Sequence, residues 1–183
     1  MRMKLFGFAV AAALVAGTIG FKAHALADTD AALQPGTIAP AFTLPSQTDS
    51  MVSLKDYRGK YVVLYFYPKD MTSGCTIEAH NFERDAAKYA AANAVVLGVS
   101  LDTVESHKTF CSKDGLNFKL LADPKGDVIR EYGVPVMHMG PVKFAKRETY
   151  LIGPDGKILK MWVVKDIESH SGEVLAAIAG AKQ

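Results

Sequence analysis

The run Tyr61-Val62-Val63-Leu64-Tyr65-Phe66-Tyr67 contains no charged or amide side chain and no polar alternation. A β-branched and aromatic stretch of this kind, Lys60 to Tyr67, reads as a strand buried on both faces, inside a sheet covered by helices. Pro68 ends it, because proline has no N–H to give to a ladder. Order resumes at Ser73, read as the N-cap of a helix to about Asn93, with Ala79, Phe82, Ala86, Tyr89 and Ala90 along one face. Ala94 to Leu101 is a second continuous apolar strand. Asp102 or Thr103 caps a helix to about Lys113 that Gly115 closes.

Beyond it, Phe118 to Leu121 is a strand and Asp127 to Tyr132 a short helix. Gly133 to Lys146 reads as a long irregular stretch. Arg147 to Ile152 and Lys157 to Val164 are strands joined by the turn Gly153-Pro154-Asp155-Gly156, and Ser169 to Ala181 is a closing helix. Upstream, the short apolar runs Ala41–Leu44 and Met51–Leu54 suggest a small hairpin or edge. This order predicts an α/β fold, with a mixed central sheet and helices on both faces. Ligand chemistry in open α/β sheets belongs at the carboxyl ends of the strands, which is where Cys75 falls.

The N-terminus is read separately. Met1-Arg2-Met3-Lys4 is cationic, Leu5 to Phe21 is uncharged and apolar, and Ala25 and Ala27 fit the A-x-A pattern. That layout predicts a secretory signal peptide over residues 1–27, cut after Ala27, and a bacterial periplasmic location. The alternative is an uncleaved anchor, though the run is near the lower limit for spanning a bilayer. Removal of residues 1–27 takes away Arg2, Lys4 and Lys22 and no acid, turning the formal net charge from +2 to about −1. No basic patch interleaved with aromatics remains, which argues against a nucleic-acid partner. Residues 28–183 have the length of one domain and would bury roughly two-thirds of their unfolded surface without a disulfide.

The chain has 2 cysteines, Cys75 and Cys111. In an exported protein such a pair often forms a structural bridge. Cys75 has a more specific setting. A sulfur in the first turn of a helix meets unpaired N–H groups and the positive end of the helix dipole, which favour thiolate over thiol.

Pro68-x-x-x-Thr72-x-x-Cys75, preceded by Tyr65-Phe66-Tyr67 and followed by Thr76 and Glu78, resembles the active-site loop of peroxiredoxins, and most closely the peroxiredoxin Q or bacterioferritin comigratory group. Asp123-Pro124-x-Gly126 and Arg147-x-Thr149-Tyr150-Leu151-Ile152-x-Pro154-Asp155-Gly156 resemble the same group in order and spacing. The resemblance runs from about Leu33 to the C-terminus. It implies a thioredoxin-like fold and a thiol-dependent peroxidase acting on hydrogen peroxide and organic hydroperoxides. No metal, haem or flavin cofactor is implied. The thiolate of Cys75 would attack one peroxide oxygen. The Thr72 hydroxyl would bond sulfur and peroxide, Pro68 would shield the loop, and Arg147 would supply fixed positive charge beside the sulfur. Taken singly, each has a plainer reading: Thr72 as a cap, Pro68 as a strand end, Arg147 as a surface residue, and Glu78 as support for the helix start.

The group's commonest pattern puts a resolving cysteine five residues after the first, where this chain has His80. The resemblance to a subset with that cysteine on the later helix implies an intramolecular Cys75–Cys111 disulfide. The alternative for Cys111 is a packed thiol beside Phe110, leaving a one-cysteine enzyme resolved by an external thiol. A thioredoxin-like disulfide reductase would need Cys-x-x-Cys, and Thr72 stands in the first of those places. Met137-His138-Met139 has ligands that suit copper(I), but a rim of the active site is the favoured reading. The expected partners are peroxide and a thioredoxin-like or other thiol reductant. A monomer or weak dimer without stable membrane association after cleavage is expected by analogy with the group.

Overall fold

The computed structural model describes residues 33–182. The predicted leader and its cleavage point after Ala27 lie outside the described residues. Among the described residues, no helix is long and apolar enough to cross a membrane. The first elements are the antiparallel strands β1 (Thr43–Pro45) and β2 (Met51–Ser53), the small hairpin that the two short apolar runs suggest. A 3-10 turn, Leu54–Tyr57, leads to β3 (Tyr61–Phe66), in which every residue is buried.

The single helix expected from Ser73 to Asn93 is two helices, α1 (Ser73–Arg84) and α2 (Ala86–Ala91). Asp85 stands between them. Its buried carboxylate accepts from Arg84 Nη2 at 2.7 Å, Lys88 Nζ at 2.8 Å and Ser171 Oγ at 2.9 Å. These donors, Arg84 foremost, hold the carboxyl well below the usual carboxylate range. The break also changes the predicted buried face: Ala79, Phe82 and Tyr89 are buried, whereas Ala86 and Ala90 are exposed. At the helix start Thr72, not Ser73, occupies the N-cap position.

Strand β4 (Ala94–Ser100) follows, then α3 (Val104–Asp114), β5 (Lys119–Ala122) and the short α4 (Asp127–Glu131). Thr103 caps α3, its Oγ1 accepting from the Ser106 amide at 3.3 Å, and Gly115 closes the helix at φ +67°. The stretch expected to be irregular holds a hairpin, β6 (Val136–Met139) and β7 (Val142–Ala145). Gly140, at φ +58°, makes its tight connection possible. The hairpin is largely exposed, so it lacks the inward apolar alternation by which strands are recognised in sequence. Strands β8 (Glu148–Ile152) and β9 (Ile158–Val163) and helix α5 (His170–Gly180) complete the chain.

The central sheet has the order β5-β4-β3-β8-β9. Strands β3, β4 and β5 are mutually parallel, β8 is antiparallel to β3, and β9 is antiparallel to β8. Alternation along β3 divides the core. Val62, Leu64 and Phe66 pack with β1, β2 and α4, while Val63, Tyr65 and Tyr67 pack with α1, α3 and α5. Both cysteines belong to the second layer. There Gly98 on β4 lets Tyr65 and Leu120 close over it, since a Cβ would lie 2.7 Å from Tyr65 Cζ and 2.6 Å from Leu120 Cδ2. Each fully buried aliphatic or phenyl side chain stabilises such a core by about 1.5–3 kcal/mol.

Candidate active site

The carboxyl end of β3 runs through Tyr67 into half-buried Pro68 and the loop that starts α1. Met71 on this loop has φ +58°, a left-handed conformation uncommon outside glycine. With Thr72 at the N-cap, Cys75 occupies the first turn of α1, where backbone N–H groups lack intrahelical acceptors. The Cys75 side chain is buried, with 2% exposure.

Arg147 reaches the same place through strand pairing. The antiparallel register sets Glu148 opposite Phe66, so the residue before β8 lies beside the end of β3. Arg147 Nη2 donates to Cys75 Sγ at 3.2 Å. Its Nη1 donates to Glu78 Oε2. Glu78 lies one turn along α1 from Cys75, so both face the same side of the helix. Burial pushes the Glu78 carboxyl up to about 7 against the pull of Arg147, and its Oε1 has no partner among the described residues. One guanidinium thus spans a buried carboxylate and a buried sulfur, held by a planar fork that a lysine could not reproduce. Two residues beyond Arg147, Thr149 Oγ1 lies 2.8 Å from His170 Nε2, and burial pushes that imidazole down to about 4.

Thr72 departs from expectation. Its exposed hydroxyl donates to the Lys69 carbonyl at 3.0 Å rather than to the sulfur. With the proton so placed, the oxygen lone pairs remain free to accept from a substrate O–H.

Cys111 sits on α3 in the same core layer as Cys75, and both are free thiols. Burial, and then the charges of Asp70 and Glu83, push the Cys111 thiol up to about 11. The Met137-His138-Met139 stretch does not form a common ligand set. Strand alternation in β6 separates Met137 and Met139 from His138, which lines a cavity of about 780 Å³ with Lys125, Arg130 and Lys143.

A family model described as AhpC/TSA family matches residues 35–161. The chain is 41% identical to the putative peroxiredoxin bcp of Coxiella burnetii over 149 residues, covering 80% of this chain and 99% of that one. It is 37% identical to the peroxiredoxin Bcp of Bacillus subtilis, covering 80% of this chain and 95% of that one. The chain belongs to the peroxiredoxins, in the Bcp or peroxiredoxin Q group. Among solved structures, peroxidoxin BcpB from Mycobacterium tuberculosis superposes with a TM-score of 0.76 at 30% identity, covering 82% of this chain and 99% of that one. The bacterioferritin comigratory protein of Xanthomonas campestris gives 0.72 at 31% identity, with coverages of 78% and 92%. As a peroxiredoxin, the chain is a thiol-dependent peroxidase with a thioredoxin-like fold.

The structure of this peroxiredoxin brings together Cys75 and Arg147 directly, with Thr72 and Pro68 on the adjoining loop. It leaves Cys111 on a separate helix. Sequence reading gave Glu78 only a supporting role at the helix start, although it is the buried anion that holds Arg147. The available signal was its spacing, one turn from a cysteine on a helix.

Proposed function

We propose that this peroxiredoxin reduces hydrogen peroxide and organic hydroperoxides through Cys75, and that Cys111 resolves the oxidised sulfur. The contact between Arg147 Nη2 and Cys75 Sγ, at 3.2 Å, carries this reading. A guanidinium there stabilises the negative charge that develops on oxygen as the O–O bond breaks. The thiolate attacks the nearer peroxide oxygen, an S–O bond forms, and the distal oxygen leaves as hydroxide or alkoxide and takes up a proton. Thr72 Oγ1 accepts the substrate O–H and orients it. First-turn amides of α1 add donors for the oxygens, and Pro68 limits water at the sulfur. Activity on organic hydroperoxides is supported by the alkyl peroxide reduction activity named for the Xanthomonas campestris relative.

The product is a sulfenic acid on Cys75. The Cys111 thiol then attacks this sulfur, the S–O bond breaks, water leaves, and a Cys75–Cys111 disulfide forms for an external thiol reductant to open. In the Xanthomonas campestris peroxiredoxin Q, two cysteines were each replaced by serine for structure determination. They stand as far apart in that chain as Cys75 and Cys111 do in this one. Because the two thiols occupy separate helices and each is buried, the bridge requires local opening. We also propose export with cleavage after Ala27, which N-terminal sequencing of the protein from intact cells tests.

The deciding experiment counts thiols. Reduced protein given one equivalent of peroxide is expected to lose both thiols, and Cys111→Ser to hold a sulfenic acid at Cys75. Loss of no thiol at micromolar peroxide would refute the peroxidase chemistry. Unchanged turnover in Cys111→Ser would refute resolution by Cys111 alone.

A further inference from the structure

Asp70 stands in the loop between Pro68 and Thr72, and both of its carboxylate oxygens accept hydrogen bonds from the fold. Oδ1 accepts from the Tyr67 hydroxyl at 2.6 Å. Oδ2 accepts from Ser106 Oγ at 2.7 Å and lies 2.8 Å from His107 Nδ1. The Asp70 amide donates to Asp102 Oδ2 at 2.9 Å, an oxygen that Ser100 Oγ also holds at 2.8 Å. Because a carboxylate only accepts, the bond to His107 requires the proton on Nδ1. His107 is wholly buried, and its Nε2 has no partner among the described residues. Burial alone would raise the Asp70 carboxyl, but bonds from His107, Ser106 and Tyr67 bring it below its ordinary value.

These bonds tie the active-site loop to the amino-terminal half of α3. On that helix His107 and Cys111 are one turn apart and both buried, so they share a face. The tie therefore ends one turn from the second thiol. Its other end adjoins Met71, whose left-handed backbone depends on its surroundings to persist.

We propose that the Asp70–His107 pair, with Ser106 and Tyr67, is a latch that holds the loop and α3 closed for peroxide attack and whose release governs how fast Cys111 reaches Cys75. This inference rests on the reading of Cys111 as the resolving thiol. Asp70 and His107 are positioning residues: their bonds go to each other and to neighbouring elements, not to the sulfur. While the latch is shut the loop keeps Thr72 and Cys75 in fixed relation, and Cys111 stays buried as a thiol with the Asp70 charge nearby. Opening α3 exposes Cys111 and draws it away from that charge. The same bonds thus favour oxidation of Cys75 and oppose its resolution.

Two measurements on the reduced full chain test this: amide hydrogen exchange across α3, and rapid-mixing mass spectrometry of sulfenic acid formation and then disulfide formation. In Asp70→Asn and His107→Leu, exchange of α3 amides is expected to accelerate about tenfold, the size of one lost charge-assisted hydrogen bond. Sulfenic acid formation slows while disulfide formation quickens. His107→Asn, whose amide nitrogen replaces Nδ1, restores both rates toward wild type, which a packing role alone would not predict. Should the stronger variants not fold, Ser106→Ala removes a single bond and shows the same opposed changes on a smaller scale. Unchanged exchange, or both steps slowing together, would overturn the latch. Absence of any disulfide in the wild-type chain would overturn the Cys111 reading and with it the latch's part in resolution, whereas disulfide formation indifferent to the latch variants would refute the latch alone.

Discussion

Glu78 holds Arg147 from the buried side of α1, and the same guanidinium reaches Cys75 Sγ at 3.2 Å with its other terminal nitrogen. The aim of the cation at the sulfur is thus set by a carboxylate on the helix that carries the sulfur. Glu78 has 1% side-chain exposure and Arg147 16%, so the arrangement works in a low-dielectric setting where charge placement counts for more than at a surface.

The fork geometry of Arg147 is testable by a change that keeps its charge. Arg147→Lys places one ammonium where two nitrogens served two partners. The rate constant for Cys75 oxidation is expected to fall by about 10²-fold, comparable to the loss of an oriented donor in other active sites. Competition kinetics against a reference peroxidase measures it. An unchanged rate would remove the paired contact from the chemistry.

Glu78 also makes stability depend on pH. Its folded pKa, about 7, lies above its ordinary value of 4.5, so between these limits the folded state binds more protons than the unfolded state. The contribution to stability is fully present below 4.5 and is lost as pH rises toward 7. Melting temperatures of the wild type and Glu78→Gln, compared from pH 4 to 8, are expected to show this slope as a difference of at most about 1.4 kcal/mol per pH unit. A difference independent of pH would contradict it.

Gly98→Ala tests the close approach of β4 to Tyr65. The added methyl meets a ring already stacked on Tyr67 and tilted against Phe82, at centroid distances of 5.3 Å and 4.8 Å, so Tyr65 has little freedom to retreat. A loss of about 1–3 kcal/mol is expected, read as a lower midpoint in urea unfolding. A neutral result would mean that Leu120 and Tyr65 repack without strain.

Cys111 is predicted to resist alkylation while the protein is folded. Burial pushes its thiol up to about 11 from a reference of 9.0, leaving about 100-fold less thiolate near neutral pH than a free cysteine would have. In Cys75→Ser, where Cys111 is the remaining thiol, iodoacetamide labelling at pH 8 should be slower than in urea by at least that factor. Equal rates would show that the thiol is open to solvent.

Several features were legible because their cause is local. The apolar run through β3 announced a strand covered on both sides, and Gly115 stopped α3 with a left-handed residue as expected. Pro68 and the helix start placed Cys75 correctly because strand termination and helix initiation depend on neighbouring residues alone. The division of the long helix was not legible. Asp85 takes Ser171 of α5 as a partner, 86 positions away, and nothing near Asp85 in sequence reveals it. The β6–β7 hairpin was not legible either, because its prolines and exposed side chains carry the marks of a loop.

By itself, then, the sequence determined the sheet's buried strands, the position of Cys75 at a helix start, and the motif pattern of a peroxiredoxin. Hydrophobic periodicity and backbone stereochemistry act over a few residues and can be read directly. Tertiary structure decided which charges meet. Antiparallel pairing of β8 with β3 brought Arg147 to Cys75 and Glu78, and packing of α3 against the loop brought His107 to Asp70 across 37 positions. Charged partners are chosen by where the folded backbone delivers them, and burial then sets their strength, so neither is written in local sequence.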